Sequence, residues 1–104
     1  MDKEILFEVL TPLNVKIRTT REYWNYIVTI KHRPMKNKED IVKNTLSNPE
    51  GIYRSKIDQD VYLYYCQFDK IYCAVVKHLG ESGFLITAYP TDKIKEGERI
   101  WKKY

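Results

Sequence analysis

The stretch IKHRPM, residues 30 to 35, places His32 beside an arginine where a helical pattern stops at Pro34. Imidazole is the side chain whose ordinary pKa, about 6.5, suits proton transfer near neutral pH. His32 is therefore a candidate general acid or base. A structural role is the open alternative, because a cationic side chain in the last turn of a helix is stabilised by the helix dipole.

Positive charge is concentrated around this histidine. The chain has a net charge of +4, and residues 16 to 38 hold seven Lys or Arg against one acid. A basic segment on a faintly acidic body is typical of proteins that bind an anionic partner such as a nucleic-acid backbone. Arg33, Lys36 and Lys38 are the candidate phosphate contacts in this segment. A solvated helix face would show the same pattern.

Other chemical motifs point to few alternatives. The sequence has no GxSxG, P-loop or HExxH motif. Cys66 and Cys73 fit no zinc-ligand spacing, so we expect neither a metal site nor a cofactor. We expect both thiols to be reduced and to lie side by side on adjacent strands, because only a two-residue loop, 69–70, separates those strands.

The N-terminal half must position His32 and the basic segment. Its apolar spacing predicts two short strands and then two helices, over residues 5–9, 15–18, 20–33 and 38–46. Thr19 and Glu22 fit a capping box at the start of the first helix, which Pro34 stops. Asn37 fits a cap for the second helix.

The C-terminal half changes to the period of β-strands. The stretches IYRSK, VYLYYCQF, IYCAVVKH and FLITAYPT are rich in tyrosine and β-branched residues, and turn-like strings separate them. KEGERIW adds at most a short final element. We therefore expect one α+β domain over residues 1–104, with the two helices packed on one face of an antiparallel four-stranded meander and with short N-terminal strands.

The sequence also bears on location. No apolar run approaches the roughly 18 residues that a membrane span needs. The N-terminus MDKEILFEVL lacks the basic region and the long apolar region of a secretory signal. We therefore expect a cytoplasmic protein that does not enter a membrane.

Loop lengths predict which side chains share a face of the sheet. Loops of four, two and four residues, at 57–60, 69–70 and 80–83, would bring several polar side chains to the face away from the helices: Arg54, Tyr65, Gln67, Tyr72, His78, Thr87 and Tyr89. Phenol rings and a guanidinium can stack on bases and hold phosphates. An uncovered sheet face is also normally polar, so solvent exposure alone is the open alternative.

The order of these signals resembles a known family. YW (23–24), KHRPM (31–35), TLSNPE (45–50), YRSK (53–56), CAVVKHL (73–79) and GFLITAYPTDKIKEGERIW (83–101) are similar to small prokaryotic domains of the phage-type barnase, EndoU, colicin and RelE nuclease superfamily. The resemblance covers nearly the whole chain. It implies two N-terminal helices packed on an antiparallel four-stranded sheet and a toxin-like endoribonuclease that works without a metal ion.

The resemblance implies roles for particular residues. The polar positions that match its pattern are His32, Arg54, Ser55, Thr87 and Tyr89. Such a reaction needs a base for the 2′-hydroxyl proton, a cation for the phosphate and an acid for the leaving oxygen. His32 would transfer protons, Arg54 would grip the phosphate, and Thr87 and Tyr89 would donate hydrogen bonds.

Two other functions stay open at this point. The same fold could bind RNA without cutting it, or act as the partner of an antitoxin, through the basic segment and the tyrosine-rich face. That face, including Tyr65, could instead be an interface with another protein. A nuclease would cleave RNA, and a binding module would bind RNA in a salt-dependent manner without cleaving it. A protein interface would neither bind nor cleave RNA.

Overall fold

Seven strands form a single sheet in the computed structural model, which describes residues 4–94 and 97–103. The strands are β1 Ile5–Leu10, β2 Lys16–Thr20, β3 Gly51–Arg54, β4 Val61–Gln67, β5 Ile71–Leu79, β6 Ser82–Thr91 and β7 Glu98–Lys102. The helices are α1 Arg21–Tyr26 and α2 Glu39–Ser47, with a π-helical turn at Ile27–Lys31 and a 3₁₀ turn at Arg33–Met35. Each predicted strand is thus present, including the short last one.

The order and the pairing of these strands differ from the predicted fold. The order across the sheet is β1-β2-β6-β5-β4-β3-β7, and β2 pairs with β6 in parallel while the other pairs are antiparallel. The prediction of two helices on a four-stranded antiparallel meander is therefore wrong. The meander β3 to β6 is the centre of a larger mixed sheet, because the N-terminal hairpin extends it beyond β6 and β7 extends it beyond β3.

The core lies between the helical segments and one face of this sheet. α2 buries Val42 and Leu46 against β1, β4 and β5, and α1 contributes Trp24, which is 3% exposed. Burying one such side chain stabilises the fold by about 1.5–3 kcal/mol. From the sheet, the core includes Ile17, Ile52, Tyr64, Tyr72, Ala74, Val76, Leu85 and Ala88.

The first helix is shorter than predicted and changes its winding. Its N-cap is Thr20, whose hydroxyl accepts a hydrogen bond from the Tyr23 N–H at 3.0 Å, so the predicted Thr19 cap was one residue early. From Ile27 the chain winds as a π-helix until Lys31. β-Branched residues in IVTIK and the following proline both disfavour a regular α-helix here. No helix of the described ranges is long and apolar enough to cross a bilayer.

The second helix also begins differently from the prediction. Lys38 is its N-cap and makes no side-chain capping bond, while Asn37 adopts the left-handed conformation with φ 64°. Asparagine tolerates this conformation better than most residues. Asn37 therefore forms the turn before the helix and does not cap it.

The turn between β4 and β5 holds one residue more than predicted. Gln67 lies opposite Ile71, and the Phe68 N–H donates to the Lys70 carbonyl at 2.8 Å. A shift of one residue in an antiparallel pair moves every side chain of one strand to the other face. Cys66 therefore lies opposite Tyr72, and Cys73 points to the other face, so the predicted side-by-side pairing is wrong. Neither cysteine forms a disulfide with another described residue.

The turn between β5 and β6 is shorter than predicted. Leu79 pairs with Ser82, and Gly80 takes a positive φ of 74° that suits glycine in a two-residue hairpin turn. A β-bulge then inserts Ile86 between the pairs Val76–Leu85 and Val75–Thr87. The bulge brings Thr87 and Tyr89 to the face away from the core.

Candidate active site at the edge of β6

His32 lies at the end of the π-helical turn and contacts the C-terminal half of β6. Its backbone N–H donates to the Ile27 carbonyl at 2.8 Å, and its carbonyl accepts from the Met35 N–H at 3.0 Å. The imidazole ring lies 5.2 Å from the ring of Tyr89, centre to centre, at an angle of 45°. The fold thus brings two side chains that can exchange protons next to each other, although their residues are far apart in the chain.

The edge of β6 explains why this contact forms. The described pairing of β2 with β6 ends at Arg18 and Phe84, so the next stretch of β6 has no strand partner on that side among the described residues. The segment of α1 and the π-turn covers this edge. The Tyr23 hydroxyl donates to the Ile86 carbonyl at 2.9 Å, and the Lys31 ammonium donates to the same carbonyl at 3.5 Å. These two bonds fix the segment that ends in His32.

The surroundings of His32 and Tyr89 move their pKa values in opposite directions. Burial lowers the pKa of His32, and the neighbouring Lys31 charge lowers it further. Burial raises the pKa of the Tyr89 phenol, and the neighbouring Cys73 thiol adds to the increase. At neutral pH the imidazole is therefore mainly unprotonated and able to accept a proton, while the phenol keeps its own proton.

Thr87 lies on the same face as Tyr89. Its partner across β5 is Val75, and that of Tyr89 is Cys73, two residues earlier. The Thr87 hydroxyl is buried and has no hydrogen-bond partner among the described residues. A buried hydroxyl without a partner costs about 1–3 kcal/mol, so a structure that keeps one has a donor available for a bound group.

Tyr65 shares this face but is not available as a stacking surface. It is 2% exposed and packs edge to face against Tyr53, with ring centres 5.6 Å apart. The prediction that Tyr65 contacts a substrate therefore conflicts with its burial. Its ring instead supports the face on which Cys73 and Tyr89 lie.

Arg54 and Ser55 lie away from His32. Arg54 pairs with Tyr62, which pairs with Val76, so Arg54 is on the side of the sheet that carries the core, opposite Thr87. The prediction that Arg54 shares a face with Thr87 and Tyr89 is wrong, because the β3–β4 register differs by one residue from the assumed one. The Ser55 hydroxyl accepts from the N–H groups of Ile57 and Asp58 at 3.1 and 3.4 Å and orders a turn.

The basic segment begins beside the candidate site. Lys31 and His32 are followed by Arg33 and Lys36, which are exposed, and by Lys38, which is partly exposed. None of these side chains forms an ion pair with another described residue. Their charges are therefore free to meet an anion that approaches His32.

The prediction that Tyr72 and His78 lie on the face away from the helices is wrong, because the extra residue in the β4–β5 turn moves them to the core side. There, His78 lies in a hydrogen-bonded cluster. The Tyr64 hydroxyl is 3.0 Å from His78 Nε2, and the His78 ring stacks on Tyr62 with centres 3.9 Å apart. The guanidinium of Arg54 lies 5.8 Å from the Tyr62 ring centre. Burial lowers the pKa of His78 to about 4. The alternation of Tyr62 and Tyr64 in VYLYY indicated a shared face, but only the true register brings His78 to it.

This His78 cluster is more enclosed than the His32 site. Thr11 lies at its inner end and forms a hydrogen bond with the Tyr64 hydroxyl. Thr11 and Tyr64 are 3% and 0% exposed. Proton transfer to a large substrate therefore fits the His32 site better than the His78 cluster.

The His32 site places the rings of His32 and Tyr89 in contact, with Thr87 on the same face of β6 and with Lys31 and Arg33 next to His32 in the chain. Among the described residues, no three His, Cys, Asp or Glu side chains are arranged to hold a metal ion. Comparison of the chain with protein-family models, with curated proteins and with solved structures found no match.

Proposed function

We propose that the protein cleaves single-stranded RNA by attack of a 2′-hydroxyl on the adjacent phosphate, with His32 and Tyr89 as the proton-transfer pair. The observation that carries this proposal is the contact between the two rings, 5.2 Å between centres, at the start of an exposed basic segment. An acid, a base and cations in one place are what this reaction requires.

The proposed reaction proceeds through a 2′,3′-cyclic phosphate. His32 accepts the proton of the 2′-hydroxyl as its oxygen forms a bond with phosphorus. The bond between phosphorus and the 5′-oxygen breaks, and the Tyr89 hydroxyl donates its proton to that oxygen. The imidazolium and the phenolate then exchange a proton, directly or through water, which restores the starting forms.

The pKa directions suit these roles. A pKa of His32 below its ordinary value leaves the ring unprotonated at neutral pH, as a base must be. A raised pKa of Tyr89 keeps the phenol protonated until a strong base appears. The departing 5′-alkoxide is a much stronger base than a phenolate, so proton transfer to it is favourable even from this phenol.

The phosphate contact in this proposal differs from the one expected from sequence. Arg54 is on the other side of the sheet, whereas Lys31 and Arg33 flank His32 directly. Lys31 is close enough for its charge to lower the pKa of His32. We therefore assign stabilisation of the phosphate charge to Lys31 and Arg33, and hydrogen bonding to a phosphate oxygen to Thr87.

The test is cleavage of a mixed RNA pool by purified protein, with and without EDTA. We expect cleavage in both conditions and products that carry 2′,3′-cyclic phosphates. The His32→Ala variant should cleave roughly 10²- to 10⁴-fold more slowly, the effect of losing a general acid or base, while RNA binding changes little. RNA with 2′-O-methyl groups should bind and stay intact, because its nucleophile is blocked.

The other histidine provides a matched control. His78→Gln should lower stability yet leave the cleavage rate of the folded protein near that of the wild type, since His78 lies in the separate cluster with Tyr64. RNA that binds in a salt-dependent manner but stays intact would refute the enzyme and favour an RNA-binding module, for which the exposed basic side chains are the supporting observation. Equal loss of cleavage in both variants would refute the special role of His32.

A further inference from the structure

A cleft of about 610 Å³ opens where β2 and β6 separate. Beyond the pair Arg18–Phe84, β2 turns into α1 while β6 continues along β5. The cleft lies in this fork, and Arg18, Thr19, Glu22, Tyr23, Tyr26 and Phe84 contribute to its lining. Its volume is within the range of small-molecule sites in proteins, about 300–1,000 Å³.

Thr19 forms part of the cleft wall where β2 turns into α1. Thr19 is 4% exposed, and its hydroxyl is buried without a hydrogen-bond partner among the described residues. Thr19 lies opposite Phe7 and two residues after Ile17, which are both in the core, so its hydroxyl is on the core side of β2. Arg18 and Phe84 are on the other face, so the polar contacts offered to a ligand beside Phe84 come from other side chains.

The remaining lining suits a flat, polar aromatic group. Phe84 and Tyr26 both line the cleft and are 39% and 45% exposed, so their rings are accessible to a ligand there. Base stacking on such rings does not depend on the identity of the base. The carboxylate of Glu22 can accept the N–H groups of a base edge, and it disfavours a phosphate inside the cleft. Arg18 can hold a phosphate at the cleft mouth.

The cleft is connected to the His32 site. Phe84 and Thr87 are on one face of β6, because their partners across β5 are Lys77 and Val75. Tyr23 lines the cleft and bonds to the Ile86 carbonyl, which also accepts from Lys31 at the site. Four residues of β5 separate the partners of Phe84 and Tyr89, a distance of about 13 Å that a few nucleotides of extended RNA can cross.

We infer that this cleft binds a nucleobase of the RNA strand, a few nucleotides from the phosphate that is cut. The inference rests on the proposed function and adds a binding subsite to it. Phe84 and Tyr26 stack on the base, the Glu22 carboxylate bonds to its edge, and Arg18 meets the adjoining phosphate.

The test compares two RNA substrates of different length. A dinucleotide spans only the cleaved bond, whereas an octanucleotide also reaches the cleft. Phe84→Ala should lower kcat/KM for the octanucleotide by roughly 5- to 150-fold, the range for loss of one stacked base, and leave the dinucleotide rate unchanged. Phe68→Ala is the matched control, because Phe68 is similarly exposed, at 41%, in the distant β4–β5 turn.

Binding without cleavage gives an independent readout. Adenosine 5′-monophosphate should shift the NMR signals of Phe84 and Tyr26, and Tyr26→Ser should weaken that binding even if the Phe84 variant folds poorly. The subsite is refuted if Phe84→Ala lowers the rates for both substrates equally, or if the nucleotide shifts no NMR signal in the cleft. The cleavage proposal stands in either case. Nucleotide binding in the cleft by a protein that cuts no RNA supports the subsite and refutes the cleavage proposal. Absence of both refutes both.

Discussion

His78 should make the free energy of unfolding decrease as the solution becomes acidic. A chain of donors explains the effect: the Leu13 N–H donates to the Thr11 hydroxyl, Thr11 bonds to the Tyr64 oxygen, and the Tyr64 hydroxyl faces His78 Nε2. In this arrangement Nε2 accepts a hydrogen bond, so the ring is neutral. Protonation would place two donors opposite each other and would charge a buried ring.

The magnitude follows from the change in pKa. His78 has an ordinary value of 6.5 in the unfolded chain and about 4 in the folded protein. Because the folded value is the lower one, the unfolded chain binds the proton first. The stabilisation is complete above pH 6.5 and is lost as the pH falls towards 4. At about 1.4 kcal/mol for each tenfold change in proton affinity, the loss is at most roughly 3 kcal/mol.

Other ionisable groups also contribute to the pH dependence of the free energy of unfolding. Their contributions can be told apart from that of His78, because their pKa values lie in another range or because a variant removes them. The Asp60 charge near His78 acts against the shift but is smaller than the effect of burial. The hydrogen bond from Tyr72 lowers the pKa of Asp69 below 3.8, so its contribution is lost only below the window of His78. His32 shifts in the same direction as His78, and His32→Gln measures its share separately.

Urea unfolding at a series of pH values between 7 and 4 provides the measurement, with the fluorescence of buried Trp24 as the signal. His78→Gln keeps an acceptor for the Tyr64 hydroxyl but cannot titrate. We expect its free energy of unfolding to vary with pH by about 2–3 kcal/mol less than that of the wild type. The same pH dependence in both proteins would show that the hydrogen-bonded chain does not hold His78 neutral.

Three further outcomes follow from the structure. Thr87→Val should raise the free energy of unfolding by about 1 kcal/mol, because it removes a buried hydroxyl without a partner, and yet slow RNA cleavage; a loss of stability in urea would contradict this. Gly83→Ala should destabilise by about 1–3 kcal/mol, because the new methyl group would collide with the Lys77 carbonyl, and an unchanged urea midpoint would be inconsistent with that contact. Replacing Lys36 and Lys38 by Gln should weaken RNA binding and reduce the slope of log affinity against log salt by about 0.7 per charge, with an unchanged single-turnover rate at saturating protein.

Local patterns predicted the strands well, and their arrangement poorly. VYLYYCQ and IYCAVVKHL have the composition and bounding turns of strands, and these determine where a strand lies in the chain. The face that each side chain takes depends on the number of residues in a turn. One residue more between β4 and β5 was enough to place Cys66 and Cys73 on opposite faces of the sheet.

The site was predictable in part for the same reason. His32 was singled out by its residue type and its position after a helical pattern, and Thr87 and Tyr89 by the predicted sheet face and by the resemblance. The structure places the His32 ring against that of Tyr89, and Thr87 on the same face of β6 as Tyr89. Arg54 was misplaced because its face depends on register. The cleft could not be found from the sequence, since β2 and β6 are distant in the chain and the fork between them has no local signal.

The parallel pairing of β2 with β6 also determines when the site forms during synthesis. Lys16 and Ser82 are about 66 residues apart, and closing so long a loop costs about 2 kcal/mol more than closing the short loop of the β1–β2 hairpin. An isolated hairpin is only marginally stable, so β2 and α1 gain their support after β6 has been made. Synthesis proceeds at about 5–20 residues per second, so Tyr89 is added to the chain several seconds after His32. A nascent chain that still lacks β6 therefore has no assembled site while it is close to the RNA that encodes it.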